Sequence, residues 1–300
     1  MTPKTYSELL ASGIAKADLH KDYVRISPGI YLPASELEPR GPRGLPLITR
    51  AIALQKRAPS CVLSGWAALK ILGLPHISDD LPVHFWTTTC HAKPDLKLGT
   101  IPLRGRRSVP VQHVLFEAES LAVTDIATAT VDCLLSLKRR TVSWWVPPIT
   151  GLTHEEVRMI QVLDMVRTHC RTPLAEIIAA ARGRFDAGFL SRLLALSDPG
   201  ADSPQETLLR LIVRDLADWE SQVPFHTPNG RLLTAADLAS KKHKVTLFYD
   251  GEHHLARGQR DYDTEVVQLL RMMGWEPIRI TSGQLRNPHL LRQRILKFLS

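Results

Sequence analysis

The spacing of apolar positions predicts a chain of mixed α/β class. Apolar residues at intervals of three and four predict helices, and short runs bounded by turn residues predict strands. Helices are predicted over 6–11, 15–21, 47–57, 64–69, 123–137, 157–169, 173–181, 187–196, 204–216, 261–273 and 288–299. Strands are predicted over 23–26, 30–32, 83–88, 101–107, 111–116, 222–226, 232–238, 245–249 and 277–280.

Proline and glycine mark the first boundary between predicted domains. The stretch 33–46 has the composition of a linker, because it holds Pro33, Pro39, Gly41, Pro42, Gly44 and Pro46. A second boundary falls in the loop near residue 200. The predicted organisation is therefore a small N-terminal segment over 1–46, a mixed α/β middle with helical connectors over 47–200, and a C-terminal domain over 201–300.

One strand ends in a cluster of chemically active side chains. The apolar run 245–249 is followed at once by Asp250, Gly251, Glu252, His253 and His254. Carboxylates and imidazoles can bind a metal ion or a proton, and at the end of a buried strand they lie at the edge of a sheet. This pattern predicts a functional site in the C-terminal domain.

The first 32 residues have the pattern of a helix-turn-helix with a wing. The two short helices flank Ser12-Gly13, and the two strands meet at Ser27-Pro28-Gly29, where glycine suits a type II turn. The segment resembles the N-terminal winged helix of AbiEi-type antitoxins; the matching residues are Gly13, Ile14, Leu19, Arg25, Gly29, Ile30 and Tyr31. Its second helix offers Lys16, His20 and Lys21 to DNA. The alternative is a capping module that packs on the next domain without touching DNA.

The middle segment also resembles antitoxin-like bacterial proteins. It is similar to the central region of such proteins that carry a C-terminal nuclease-like domain. The similarity lies in the order Ser64-Gly65-x-Ala67-Ala68, then Gly73-Leu74-Pro75, then strands, then a threonine-rich helix with Asp132. Trp66 is predicted to belong to the core of this segment.

The C-terminal segment has the predicted order helix, three strands, helix, strand, which resembles the αβββαβ core of PD-(D/E)XK nucleases. The pattern is similar to a family of uncharacterised endonuclease-like domains related to the very-short-patch repair nucleases. The matching residues are Glu206, Asp237, Tyr249-Asp250-Gly251-x-x-His254, Arg260-Asp261, Gly274-Trp275 and Ile278-Arg279-Ile280-Thr281. The expected architecture is thus a winged helix, a mixed α/β middle domain and a restriction-endonuclease-like C-terminal core.

This resemblance implies a role for each candidate residue. It makes Asp237 the central metal ligand and Asp250 either a second ligand or the residue that positions a metal-bound water. Glu206 is then an outer ligand and His254 assists proton transfer. Mg²⁺ (or Mn²⁺) is the implied cofactor, since it prefers carboxylate and water oxygens and activates water for phosphodiester hydrolysis. DNA is the implied partner. Four basic residues are candidates for contact with it: Arg257, Arg260, Lys241 and Lys244.

Phe248 departs from the family pattern. The family most often has E-x-D-G at this point, so a glutamate is expected where Phe248 stands. A phenyl ring neither ligates a metal nor activates water. Either the site is rearranged around Asp237, Asp250 and the histidines, or the fold persists as a binder that does not cut.

The candidate residues also have structural interpretations. Ser203-x-x-Glu206 is a capping-box pattern, so Glu206 is equally expected to cap its helix. Asp237 stands among apolar residues and could pair with Lys241 or Lys244. Asp250-Gly251 could be a turn, and Trp275 is predicted to be core.

Charge and composition narrow the class of protein. The 300-residue chain carries a net charge of +8 and has a pI of about 9.5. Residues 241–300 hold eleven Lys and Arg against six Asp and Glu, so positive charge collects beside the candidate site. The four cysteines are widely scattered, which predicts buried apolar residues instead of zinc ligands or disulfides. No membrane-spanning run or signal peptide is predicted, so we expect a cytoplasmic protein, and a homo-oligomer is a candidate state.

Three functions fit these patterns. The first is a DNA-acting protein with a metal-dependent endonuclease domain, either active or degenerate. The second is a non-catalytic, antitoxin-like DNA-binding regulator, which Phe248 favours. The third is an interaction module whose basic residues only keep the chain in solution.

Overall fold

The computed structural model describes residues 2–37, 44–88, 93–104, 108–250 and 257–299, and of His20 and residues 257–264 it describes the backbone alone. The chain divides into two units, both discontinuous in sequence. Unit 1 comprises Met1–Val142 and Thr172–Ala187, and unit 2 comprises Ser143–Arg171 and Gly188–Ser300. These units do not coincide with the predicted segments 1–46, 47–200 and 201–300, because residues 143–171 group with the C-terminal sheet.

Unit 1 contains a small antiparallel sheet and a larger mixed sheet. The small sheet has the strand order β1-β3-β2, and the larger has the order β6-β5-β4-β8-β7. The strands of unit 1 are β1 (Lys4–Thr5), β2 (Tyr23–Ser27), β3 (Ile30–Pro33), β4 (Val62–Ser64), β5 (Val83–Trp86), β6 (Thr100–Leu103), β7 (Gln112–Phe116) and β8 (Glu119–Val123). Its helices are α1 (Tyr6–Ala11), α2 (Leu19–Asp22), a 3₁₀ turn (Ala34–Glu36), α3 (Leu47–Arg57), α4 (Gly65–Ile71), α5 (Ile126–Lys138) and α7 (Leu174–Ala181).

Unit 2 contains a four-stranded mixed sheet flanked by helices. Its strand order is β12-β11-β10-β9, with β9, β10 and β11 antiparallel in succession and β11 parallel to β12. The strands are β9 (Glu220–His226), β10 (Leu232–Ser240), β11 (Val245–Asp250) and β12 (Glu276–Thr281). The helices are α6 (His154–His169), α8 (Ala187–Leu196), α9 (Pro204–Val213), α10 (Arg257–Met272), α11 (Ser282–Leu285) and α12 (Pro288–Leu299).

The predicted mixed α/β class is confirmed, and the elements from α9 to β12 follow the predicted order of helix, three strands, helix and strand. The predicted helix over 123–137 began too early. Residues 119–123 form strand β8, and the helix starts only after Asp125, whose carboxylate accepts a 2.7 Å hydrogen bond from the Thr128 amide. The predicted second helix over 15–21 is shorter than expected, since α2 covers Leu19–Asp22.

Burial of several predicted core residues is confirmed. Trp66 is buried in unit 1, as are Cys61 and Cys133, whereas Cys170 is partly buried and Cys90 lies outside the described residues. No helix in the described ranges combines the length and apolar character needed to cross a membrane.

A buried carboxylate joins α6 to α9 in unit 2. Asp164 on α6 is fully buried and accepts hydrogen bonds from Arg210 (2.7 Å), from the Thr207 hydroxyl (2.9 Å) and from the Asp198 amide (2.8 Å). A buried charge persists only when such partners satisfy it. Because Glu206 lies on the same helix as Thr207 and Arg210, this network holds the acidic end of α9 against the rest of unit 2.

We expect Asp164→Ala to destabilise unit 2 by about 3–5 kcal/mol, because it leaves the Arg210 guanidinium buried without its counter-charge. The matched control is Glu220→Ala, which breaks the exposed pair between Glu220 and Lys241 (52% and 62% exposed). That change should cost less than about 1 kcal/mol. The measurement is urea denaturation of the full chain followed by tryptophan fluorescence. Equal, small effects of the two substitutions would contradict the assigned role of Asp164.

Candidate functional site

Two of the predicted acidic residues approach each other from different elements of unit 2. Glu206 lies in the first turn of α9, and Asp237 lies in the middle of β10. Both lie beside Gln222 on β9, which donates a 3.2 Å hydrogen bond to Glu206 and whose side-chain amide lowers the pKa of Asp237. The three residues therefore form one polar cluster, which we call the acidic pair with its bridging amide.

The predicted capping box is formed only in part, because Ser203 caps α9 but the Glu206 carboxylate accepts from the Asp202 amide instead of the Ser203 amide. The Ser203 hydroxyl accepts a hydrogen bond from the Glu206 amide (3.2 Å) and donates one to Glu206 Oε1 (2.8 Å). Glu206 Oε2 accepts from the Asp202 amide (2.9 Å) and from Gln222 Nε2 (3.2 Å). Burial raises the pKa of Glu206, although these hydrogen bonds favour its ionised form. Glu206 thus stabilises the start of α9 while its carboxylate faces β9.

Asp237 has an unusual protonation equilibrium. Burial, and then the negative charge of Glu206, raise its pKa to about 7, whereas the Tyr249 amide, which donates to Oδ2, favours the ionised form. Like charges in a poorly solvated site disfavour simultaneous ionisation. At neutral pH the pair therefore tends to hold either a proton or a counter-ion.

Neither candidate lysine neutralises Asp237. Lys241 forms a 2.6 Å ion pair with Glu220, and the Lys244 ammonium lies 4.7 Å from the centre of the Trp275 ring. The predicted alternative of a salt bridge from Asp237 to Lys241 or Lys244 is therefore wrong. Both lysines remain candidates for contact with nucleic acid, because Lys241 is largely exposed and a cation–π contact leaves the charge of Lys244 intact.

Gln222 was not predicted from the sequence. Its backbone has φ of +51°, an uncommon conformation for a residue other than glycine, within strand β9. Such strain concentrates at functional sites, where the surroundings hold the residue in place. Positive φ at a glutamine leaves no mark in the sequence, so pattern reasoning has no signal by which to find it.

Asp250 has a different partner from Asp237. The Arg279 guanidinium on β12 donates a 3.2 Å hydrogen bond to Asp250 Oδ2. Both residues are partly exposed, and they lie on the parallel strands β11 and β12. The structure thus places Glu206 and Asp237 beside Gln222, and it pairs Asp250 with Arg279.

Phe248 contributes to the hydrophobic core. Its ring is partly buried against a cluster formed by Phe225, Leu233, Ala236, Ala239, Val266 and Leu270. Trp275 packs on the same cluster and meets Phe225 edge to face at a centroid distance of 4.9 Å, which confirms its predicted core role. Where the family pattern calls for a glutamate, this chain has a packing residue.

The remaining candidates can be placed only in part. His254 lies outside the described residues, and Arg257 and Arg260 belong to α10, of which the side chains over 257–264 are likewise outside the description. Within the described portion of the chain, no three His, Cys, Asp or Glu side chains are grouped so that they could hold a metal ion. The described acidic pair supplies two carboxylates and an amide.

Comparison with known proteins adds no relative: no protein-family model, no curated protein and no solved structure matches this chain.

We expect Asp237→Asn to stabilise the protein at pH 8 but not at pH 4. Since the pKa of Asp237 is raised to about 7 in the folded state, its stabilising contribution is complete below pH 3.8, its ordinary pKa, and is lost as the pH rises towards 7. The difference between variant and wild type should grow across this window by up to about 1.4 kcal/mol per pH unit. Thermal denaturation in EDTA at several pH values measures it.

Glu206→Gln tests whether the charge of Glu206 contributes to the raised pKa of Asp237. It retains a side-chain acceptor at the start of α9 but removes the charge that raises the pKa of Asp237. Titration of the Asp237 carboxyl carbon by NMR should then show a lower pKa. Parallel pH–stability curves for wild type and Asp237→Asn, or an unchanged Asp237 titration in Glu206→Gln, would contradict the electrostatic coupling.

Proposed function

We propose that this chain acts on DNA, that unit 2 is built on the core of the PD-(D/E)XK nucleases, and that Glu206 and Asp237 are its metal-binding carboxylates. The order and directions of the strands support this proposal. Helix α9 comes first, three antiparallel strands follow, and α10 precedes the fourth strand, which is parallel to β11. This order of elements is the one expected from the resemblance and supports the proposal.

The observation that carries the proposal is the approach of Glu206 to Asp237. The two carboxylates present oxygen atoms of the kind that Mg²⁺ prefers, and Gln222 Nε2 holds the Glu206 carboxylate in place by a hydrogen bond. The charge repulsion that raises the pKa of Asp237 is also what a divalent cation would relieve. The donor set therefore fits a hard cation, and Asp237 and Glu206 are the residues that would hold it.

A bound Mg²⁺ would supply Lewis-acid polarisation of a phosphodiester and a more acidic water molecule. Neighbouring residues of the chain would orient the two carboxylates for that chemistry. The hydrogen bonds from Ser203 and Asp202 fix the direction of the Glu206 carboxylate, and the Tyr249 amide fixes that of Asp237. Lys241, which follows the end of β10 and is largely exposed, offers a positive charge to a DNA phosphate.

We expect Mn²⁺ to raise the melting temperature of the wild-type protein and to support nicking of supercoiled plasmid. Stabilisation should reach roughly 2.7 kcal/mol at a metal concentration one hundred times Kd. Asp237→Asn should lose both effects, because the amide carries no charge to hold the ion. Differential scanning fluorimetry and gel electrophoresis provide the two measurements.

Asp215→Asn is the matched control for that experiment. It makes the same chemical change at an exposed carboxylate of unit 2 that pairs with Arg292. It should leave metal stabilisation and nicking at the wild-type level. A wild-type protein that shows neither stabilisation nor nicking with Mg²⁺ or Mn²⁺ would reject the metal-dependent function.

The packing of Phe248 favours a second candidate, a DNA-binding regulator that has kept the nuclease core and lost hydrolysis. A residue committed to the hydrophobic cluster replaces the expected carboxylate. On this proposal the wild-type protein binds duplex DNA in a salt-dependent manner and does not cut it.

We expect Phe248→Glu to destabilise this regulator, since it places a charge against the apolar cluster, and to gain metal-dependent nicking. Phe248→Gln is the matched control, because glutamine has nearly the shape of glutamate but carries no charge. The measurements are thermal denaturation, which verifies that each variant folds, and the plasmid assay with Mn²⁺. Nicking by the wild-type protein at the level of Phe248→Glu would contradict the second candidate.

A further inference from the structure

A basic groove lies in unit 1, and of the residues that match the antitoxin-like segment it includes Arg25. It has a volume of about 730 Å³ and lies between strand β2 and the loop over 93–97. Four of its lining residues are cations and one is an acid. The cations are Arg25, Arg57, Lys93 and Lys97, and the acid is Asp95.

Asp95 organises this groove. Its Oδ2 accepts hydrogen bonds from Arg57 and from the Ser27 hydroxyl (3.1 Å), and its Oδ1 accepts from the amides of Lys97 (2.9 Å) and Leu98 (3.2 Å). Burial raises the pKa of Asp95, but the Leu98 amide and the Arg57 and Ser27 side chains outweigh it and keep the carboxyl ionised at neutral pH. The charge of Asp95 is therefore matched by Arg57, and the pair holds the loop on β2.

Three cations remain without a matching charge. Arg25, Lys93 and Lys97 are exposed, and no carboxylate in the described ranges forms an ion pair with any of them. Within the described part of the chain, Arg25 donates a single hydrogen bond, to the Ser27 carbonyl at 3.4 Å. With Arg57 and Asp95 balancing each other, the groove carries three unmatched positive charges around an open volume.

Helix α2 presents a different charge distribution. The predicted helix over 15–21 offers Lys16, His20 and Lys21 to DNA in one of the two interpretations of this segment, yet Asp18 and Asp22 lie in the same stretch. Lys21 forms a 3.3 Å ion pair with Asp18. The cations of this helix are thus offset locally, whereas those of the groove are not.

We infer that this groove binds the phosphate backbone of duplex DNA through Arg25, Lys93 and Lys97. The inference rests on the proposed DNA-acting function and assigns unit 1 a contact surface of its own. Clustered, unpaired cations on a preformed loop are what a polyanion requires, because each phosphate contact releases condensed counter-ions. Leu96, which is 84% exposed between the lysines, adds an apolar contact for the sugar edge of the backbone.

The test is binding of a fluorescein-labelled 20-base-pair duplex, followed by fluorescence anisotropy from 50 to 300 mM NaCl. The variant is the double change Lys93→Ala and Lys97→Ala in the full chain. Arg57 and Asp95 are left untouched, because they hold the loop. The slope of log Kobs against log salt should become shallower by about 1.8, since each lost phosphate contact removes roughly 0.9. Arg25→Ala alone should remove about half of that change.

The matched control is Lys16→Ala with Lys21→Ala, which removes the same charge from the neighbourhood of α2. Its slope should stay close to that of the wild type. Thermal denaturation verifies that all variants fold, as expected for exposed side chains. An unchanged slope in the groove variant, or an equal loss in both double variants, overturns the inference while wild-type DNA binding still supports the proposed function.

Two further outcomes would also overturn the inference, and the second identifies a different ligand. A wild-type protein that binds no duplex at low salt removes both the proposed function and the inference. Inorganic phosphate serves as a second probe in isothermal titration calorimetry. Binding of phosphate at the groove without duplex binding assigns it to a small anion and overturns the DNA contact.

Discussion

The attachment of α9 to α6 through the Asp164 carboxylate determines where the acidic pair of unit 2 lies. Asp164 binds Thr207 and Arg210, and Glu206 precedes Thr207 on the same helix. A helix held at two successive turns has little freedom to rotate, so the direction of its first turn is set. The strands then bring Asp237 to the side of Glu206, and the strained Gln222 connects the two.

The candidate site and the core compete for the same strand. In β11 the position where a metal-binding glutamate is expected holds Phe248, which packs with the cluster beneath α10. The following acidic residue, Asp250, is engaged by Arg279. The resemblance assigns catalytic roles to positions 248 and 250. In this chain Phe248 packs in the core and Asp250 forms an ion pair. Glu206 differs from both, because its carboxylate accepts hydrogen bonds from Asp202 and Ser203 and so stabilises the start of α9.

Sequence patterns predicted elements whose ends carry strong local signals. The helices Leu47–Arg57, Ala187–Leu196 and Pro288–Leu299 have the predicted bounds because apolar spacing and flanking residues agree. Strand β8 was missed because Glu117 and Ala118 adopt positive φ in the turn before it, a role usually filled by glycine or asparagine. The role of Gln222 and the packing of Phe248 depend on tertiary contacts, which spacing along the chain does not encode.

The interleaving of the two units has a consequence for synthesis on the ribosome. The chain passes from one unit to the other after residues 142, 171 and 187, so α6 emerges well before the strands with which it groups. Asp164 lies 46 positions ahead of Arg210. At about 5–20 residues per second, its carboxylate remains without its arginine for roughly 2–9 s. During that interval α6 exposes the apolar face that α9 later covers, which makes the nascent chain a natural client for a chaperone that shields apolar helices.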